Sequence, residues 1–120
     1  MSQLNIYTDG GARGNPGPAA IGVVVKDGEG KIIHQFGWTI GETTNNVAEY
    51  QAVISALEWL ATQPRPEKVN FFSDSTLIVN QIKGDWKIKE AHLKPLVARA
   101  RQLAGRLTAT YTAIPREQNF

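Results

Sequence analysis

The chain has 120 residues and no cysteine, which excludes a disulfide framework, a cysteine-zinc site and a thiol nucleophile. Apolar residues make up 42% and charged residues 20%, the balance of one globular domain over residues 1–120, and the lack of thiols fits a reducing, cytoplasmic setting. Net charge is +2 but uneven: residues 1–80 carry 5 Lys/Arg against 8 Asp/Glu, and residues 81–120 carry 8 against 3, so a polyanion partner and a solvated basic helix face are both open readings. No apolar run approaches the roughly 18 residues of a membrane span, and Met1-Ser2-Gln3 lacks the basic and apolar regions of a signal peptide.

In chain order, Leu4 to Asp9 alternates in polarity and predicts a strand. Gly10 to Pro18 reads as a nine-residue turn-rich loop. Ala19 to Lys26 and Lys31 to Thr39 predict two more strands joined by the turn Asp27-Gly28-Glu29-Gly30, which gives an antiparallel meander. The period then changes. Thr43 to Asn46 supplies cap residues for a helix over 44–62, ended by Pro64 and Pro66. Val69 to Ser73 is a short apolar strand, and Asp74-Ser75 opens a second helix that Gly84 stops. A third helical stretch lies between Glu90 and Gly105, with Pro95 at its start or at a kink, and Thr108 to Ile114 is a fifth strand. This order predicts an α/β fold with a mixed five-stranded sheet, three strands antiparallel and two parallel, flanked by helices.

Three carboxylates occupy unusual positions. On the 44–62 helix, Gln51, Ser55, Glu58 and Thr62 form a polar face, and Ala52, Val53, Ala56 and Leu60 form the opposite one. Glu49 lies on that apolar face, where an unpaired carboxylate costs several kcal/mol. Its alternative is a first-turn acid favoured by the helix dipole. Asp9 closes the first strand and Asp74 the fourth, with a turn residue and an N-cap as their plainer readings. If those strands are parallel neighbours, both acids emerge at one sheet edge, where α/β sheets bind ligands. Glu49 on the covering helix could point at the same spot. Clustered carboxylates raise one another's pKa and call for cations, and an all-oxygen donor set selects Mg²⁺ or Mn²⁺.

Tyr7-Thr8-Asp9-Gly10-Gly11, Gly14-Asn15-Pro16-Gly17-Pro18, Thr43-Thr44-Asn45-Asn46-Val47-Ala48-Glu49 and Phe72-Ser73-Asp74-Ser75 together resemble type 1 ribonuclease H, in order and spacing from Leu4 to Asn119. The resemblance implies a ribonuclease H-like fold. It also implies an endonuclease that hydrolyses the RNA strand of RNA/DNA hybrids to 3′-hydroxyl and 5′-phosphate ends with two divalent metal ions, Mg²⁺ or Mn²⁺. Carried over, Asp9, Glu49 and Asp74 are catalytic carboxylates, and Gly10 lies beside the metals. Gly10 and Gly11 leave room for ribose 2′-hydroxyls. Asn15, Asn45 and Asn46 make polar contacts to the two strands, and Thr44 helps hold a DNA-strand phosphate; turn and cap roles coexist with these.

The chain resembles the compact branch without a basic handle, because only Asp85 to Ala91 separates Gly84 from the next helix. Trp86, Lys87 and Lys89 form a reduced DNA-side contact, or Trp86 packs the helix junction. The family's loop histidine is missing: His34 reads as a strand packing residue and His92 as a helix surface residue, so Arg116 is the candidate near the departing phosphate. Glu117 is a candidate for holding a water at the metal. Asn119 matches the asparagine that precedes a fourth acid by four residues, a position beyond Phe120. On this reading the final helix is missing and one sheet face is left uncovered. The expected state is a monomer, with that face as the place for a dimer. A weakly active or inactive hybrid-binding module is the alternative function, and a sister nuclease acting on DNA is a third, against which the Gly10-Gly11 and Asn45-Asn46 pairs argue.

Overall fold

Alternating polarity builds the sheet, and a switch to helical period covers one side of it. The computed structural model describes residues 3–119. Its elements are β1 (Gln3–Ala12), β2 (Gly17–Asp27), β3 (Ile32–Thr43), α1 (Asn45–Leu60), β4 (Lys68–Ser73), α2 (Thr76–Lys83), α3 (Lys94–Ala104) and β5 (Ala109–Ala113), with 3-10 turns at Ala91–Leu93 and Arg116–Gln118. The sheet order is β3-β2-β1-β4-β5. β1, β2 and β3 are antiparallel, whereas β4 runs parallel to both β1 and β5. The mixed sheet expected from the sequence is therefore present, and β1 and β4 are the parallel neighbours that its carboxylates require.

Leu4, Ile6, Val23, Val25, Val69 and Phe71 alternate along β1, β2 and β4 and pack into one cluster with Tyr50, Val53, Leu57, Ile78, Ile82 and Val97. Because all three helices share this cluster, they lie on the same face of the sheet. Burial of these side chains supplies the main stabilisation, at roughly 25 cal/mol per Å² of apolar surface. One polar link runs through the core. The Tyr50 hydroxyl donates to Gln81 Oε1 at 2.5 Å, which ties α1 to α2. Burial pushes the Tyr50 phenol up to about 12, so it stays a donor. Tyr50→Phe strands the Gln81 oxygen in a buried site and should cost about 1–3 kcal/mol in urea unfolding; a loss below a few tenths would mean that the oxygen finds another partner.

Several boundaries differ from the sequence reading. β1 does not end at Asp9 but continues to Ala12, because Gly10, Gly11 and Ala12 pair with Ile21, Ala20 and Ala19. The expected nine-residue loop shrinks to residues 13–16, closed by the Arg13 N–H donating to the Pro18 carbonyl at 2.8 Å. β3 reaches Thr43, which pairs with Gly17, through an irregularity at the left-handed Gly41. Thr44 caps α1 through its hydroxyl, and the helix ends at Leu60 rather than Thr62. Ser75, not Asp74, caps α2, so the plainer reading of Asp74 does not hold. Gly84 is left-handed at φ 88°, as a helix stop requires. Pro95 sits in the first turn of α3. His34 stacks on Trp59 with ring centroids 4.7 Å apart, and His92 lies exposed beside Glu90.

Candidate active site

The β1–β4 pairing carries Tyr7 beside Phe72, and the two chains continue to Asp9 and Asp74 at the same end of the sheet. The first turns of α1 close over that end and bring Glu49 to it. One oxygen from each of Asp9, Glu49 and Asp74 lies within 4.8 Å of the other two. The Gly10 N–H donates to Glu49 Oε1 at 2.8 Å, which fixes the helix carboxylate against the strand. Glu49 is 8% exposed, and burial raises its pKa to about 8, helped by the charges of Asp74 and Asp9. Burial also raises Asp9, with a further push from Asp74 and an opposing pull from the Arg116 guanidinium.

These acids line an open cleft of about 960 Å³ together with Gly10, Gly11, Arg13, Asn45, Ser75 and Arg116. Thr39, Gly41 and Glu42 of β3 form part of its rim. Its lining holds four carboxylates, Asp9, Glu42, Glu49 and Asp74, against two guanidinium groups, Arg13 and Arg116. A polyanion entering this cleft meets net negative charge, so cations must accompany it. The donor set is all oxygen and fits a hard divalent ion.

Other expected site residues are placed more unevenly. Asn45 Oδ1 accepts from the Ala12 N–H at 2.7 Å, and Asn15 Oδ1 accepts from the Asn45 N–H at 3.0 Å. Both asparagines thus lock the β1–β2 turn onto the start of α1 and leave their amide nitrogens for other partners. Asn46 is half-buried in the first turn of α1. A Cβ at Gly10 would sit 2.3 Å from the Ala48 carbonyl oxygen, so on that side of β1 the helix backbone fills the space that glycine leaves. Gly11 is the open one, with its nearest neighbour 3.8 Å away.

Trp86, Lys87 and Lys89 do not reach the carboxylates. They line a separate cavity of about 490 Å³ with Leu77, Gln81 and Glu90. Trp86 is 48% exposed, so the reading in which it packs the helix junction accounts for only part of its surface. Arg116 stands in the cleft as expected, whereas Glu117, in the same 3-10 turn, is exposed and outside the cleft lining. Asn119 turns its amide nitrogen, not its oxygen, to the site: it donates to the Thr8 carbonyl at 3.0 Å and to Asp74 Oδ2 at 3.4 Å. It therefore orients Asp74 and is not placed as a ligand. Arg13, Thr39 and Glu42 went unnoticed in the sequence; Arg13 lies inside the glycine-rich segment that carries the family resemblance, whereas the two β3 residues are brought in only by strand pairing.

Residues 7–120 match the family model described as reverse transcriptase-like. The chain is 41% identical over 118 residues to ribonuclease HI of Halobacterium salinarum, covering 98% of this chain and 59% of that protein. Among solved structures, RNase H1 of Halobacterium salinarum NRC-1 superposes with a TM-score of 0.92 at 39% identity, covering 98% of this chain and 89% of that one. LC11-RNase H1 in complex with an RNA/DNA hybrid superposes at 0.88 with 45% identity, covering 97% and 88%. Against the curated relatives the chain spans roughly half their length, 59%, 54% and 58% in three cases. Fold, motif order and these likenesses agree, and the chain belongs to the ribonuclease H family as a compact type 1 member.

Proposed function

We propose that this chain is an endonuclease that hydrolyses the RNA strand of RNA/DNA hybrids with two divalent cations, Mg²⁺ or Mn²⁺, held at Asp9, Glu49 and Asp74. The observation that carries the reading is the convergence of these three carboxylates within 4.8 Å in a net-negative cleft. A relative of 45% identity is known with an RNA/DNA hybrid, which supports the substrate class. When bound, the ions supply a nucleophile at neutral pH and stabilise charge at the leaving 3′-oxygen.

The chain's own residues do the remaining work. Asp9, within 4.8 Å of both Glu49 and Asp74, would serve both cation positions. Glu49 gives up its proton when cations bind. Arg116, in the cleft lining, would supply positive charge to the departing phosphate. Gly11, with no side chain, lets a ribose 2′-hydroxyl approach the β1 backbone. The Asn15, Asn45 and Asn46 amides and the Thr44 hydroxyl orient the two strands along the start of α1.

The direct test is cleavage of a labelled hybrid in Mg²⁺ and in Mn²⁺, beside duplex DNA and duplex RNA. RNA cut only in the hybrid, with 5′-phosphate ends, is the expected result. Binding in Ca²⁺ without turnover in either metal overturns it and leaves a hybrid-binding module; cleavage of the DNA duplex points to a DNA nuclease. Lys87→Ala and Lys89→Ala should each weaken hybrid binding in Ca²⁺ and lower the log–log salt slope by about 0.9. An unchanged slope in the double variant would make those lysines solvated surface.

A further inference from the structure

Arg13 and Arg116 both line the cleft, but they stand differently toward its carboxylates. The Arg116 charge pulls the Asp9 carboxyl down, whereas Arg13 is not among the groups that act on Asp9 or Glu49. Arg13 directly follows β1, whose last residues carry the backbone roughly 10 Å from Asp9 to Ala12 at about 3.3 Å per residue. Its base is rigid. The Arg13 N–H donates to the Pro18 carbonyl at 2.8 Å, a Cβ on Gly17 would overlap the Arg13 carbonyl oxygen, and Asn15 Oδ1 accepts from the Asn45 N–H at 3.0 Å. The turn is thus pinned to β2 and to α1, while the Arg13 side chain is exposed. Among the described residues its guanidinium forms no hydrogen bond or ion pair. Arg65 and Arg101, by contrast, donate to the Arg106 and Gln81 carbonyls, and Arg99 pairs with Glu58. A guanidinium on a fixed turn, with no partner inside the chain, is preorganised for an oxyanion from outside.

We propose that Arg13 holds a phosphate of the cut strand away from the scissile bond, and so sets hybrid affinity rather than the rate of the chemical step. The assignment rests on the hybrid-nuclease reading above. Asp9, Gly11 and Arg13 line one cleft in chain order. On that reading Asp9 holds cations at the scissile phosphate, and Gly11 admits a ribose 2′-hydroxyl of the same strand. The nucleic-acid backbone that passes Gly11 then continues toward Arg13, whose fork suits two oxygens of one phosphate. Charge at the rim favours the same track. Pro18 of β2 pairs with Glu42 on one side and accepts from the Arg13 N–H on the other, so the exposed Glu42 lies one strand farther out. A polyanion is therefore drawn to the β1 side of the rim and repelled from its β3 side.

The test uses a duplex in which the cut strand is DNA except for a short central block of ribonucleotides, which fixes the cut site. A single uncharged methylphosphonate is moved along either strand, and cleavage is measured at limiting substrate. In the native chain one cut-strand position away from the scissile bond should slow cleavage about tenfold, and in Arg13→Ala the same position should have no further effect. Arg13→Ala itself should raise KM about tenfold, with the loss falling on KM rather than kcat, and lower the log–log salt slope of binding in Ca²⁺ by about 0.9. Arg13→Lys keeps the charge without the fork, so it should recover the slope and only part of the affinity. Backbone atoms hold the turn, so urea unfolding of both variants should match the native chain. A native chain that does not cut the hybrid defeats the reading of function itself. If it cuts and Arg13→Ala keeps the native KM and slope, Arg13 is solvated surface and the assignment alone is overturned. A loss confined to kcat, or a sensitive position found in the uncut strand instead, also overturns it.

Discussion

Glu49→Gln should lower hybrid cleavage by at least about 10²-fold while making the metal-free protein more stable above neutral pH. Glutamine is the shape of protonated glutamate. It keeps an oxygen for the Gly10 N–H, 2.8 Å away in the native chain, and it can donate toward Asp74 as the protonated acid does. What it loses is the charge that holds a cation. The stability effect follows from linkage. The folded Glu49 keeps its proton to about 8, whereas the unfolded side chain releases it near 4.5. Between those values the folded state binds more protons, so stability is fully present below the unfolded value and is lost as pH rises through the folded one. The loss at high pH is on the order of a few kcal/mol. The glutamine variant lacks this proton, so its stability should fall less between pH 5 and 8.

The check is a pair of melting curves in EDTA at those two pH values, with hybrid cleavage measured in parallel. Equal pH slopes in the two proteins would show that Glu49 is not strained, and full activity of the variant would remove it from the site. Divalent ions should flatten the native slope, because they replace the proton. Asp9→Asn should act in the same direction, since burial and Asp74 raise Asp9 as well.

Much of this site is legible in the sequence because its logic is local. Glu49 on the apolar stripe of a helix is an anomaly that a count of positions exposes, and Asp74 at the end of the short strand Val69 to Ser73 is another. The parallel contact of β1 with β4 is not local, yet the element order restricts it strongly. What the sequence hides are pairing decisions. Nothing in Gly10-Gly11-Ala12 distinguishes a loop from a strand whose partner, Ala19 to Ile21, lies seven to eleven residues away. Glycine reads as a breaker until the neighbour that excludes a side chain is known. For the same reason Thr39 and Glu42 were outside any motif, and Glu42 reaches the cleft rim because β3 continues four residues beyond its expected end at Thr39. Glu117 and Trp86 show the other side of this limit, since both lie outside the cleft that holds the carboxylates. Their residue types suit the chemistry, but a single 3-10 turn and the α2–α3 connection set their directions, and neither is encoded by composition.

Gly10→Ala should damage both stability and cleavage, and it tests how the strand and helix hold the carboxylates together. A Cβ at this position would lie 2.3 Å from the Ala48 carbonyl oxygen, 2.4 Å from its carbon and 2.7 Å from the Glu49 nitrogen. All three are backbone atoms of α1, so no side chain can rotate away, and the helix must shift as a body. Overpacking of this kind costs about 1–3 kcal/mol. The shift also breaks function through geometry: Glu49 Oε1 is held by the Gly10 N–H at 2.8 Å, and a displacement of an ångström separates it from Asp9 and Asp74. Gly11→Ala is the matched control. Its Cβ meets nothing closer than 3.8 Å, so stability should change by less than about 1 kcal/mol, and any loss should appear in hybrid affinity. Urea unfolding of both variants, with hybrid cleavage at saturating and limiting substrate, separates the cases. Gly10→Ala with native stability would mean that α1 is free to move over β1, and the start of α1 would then be held there by Asn45, Asn15 and the capping Thr44.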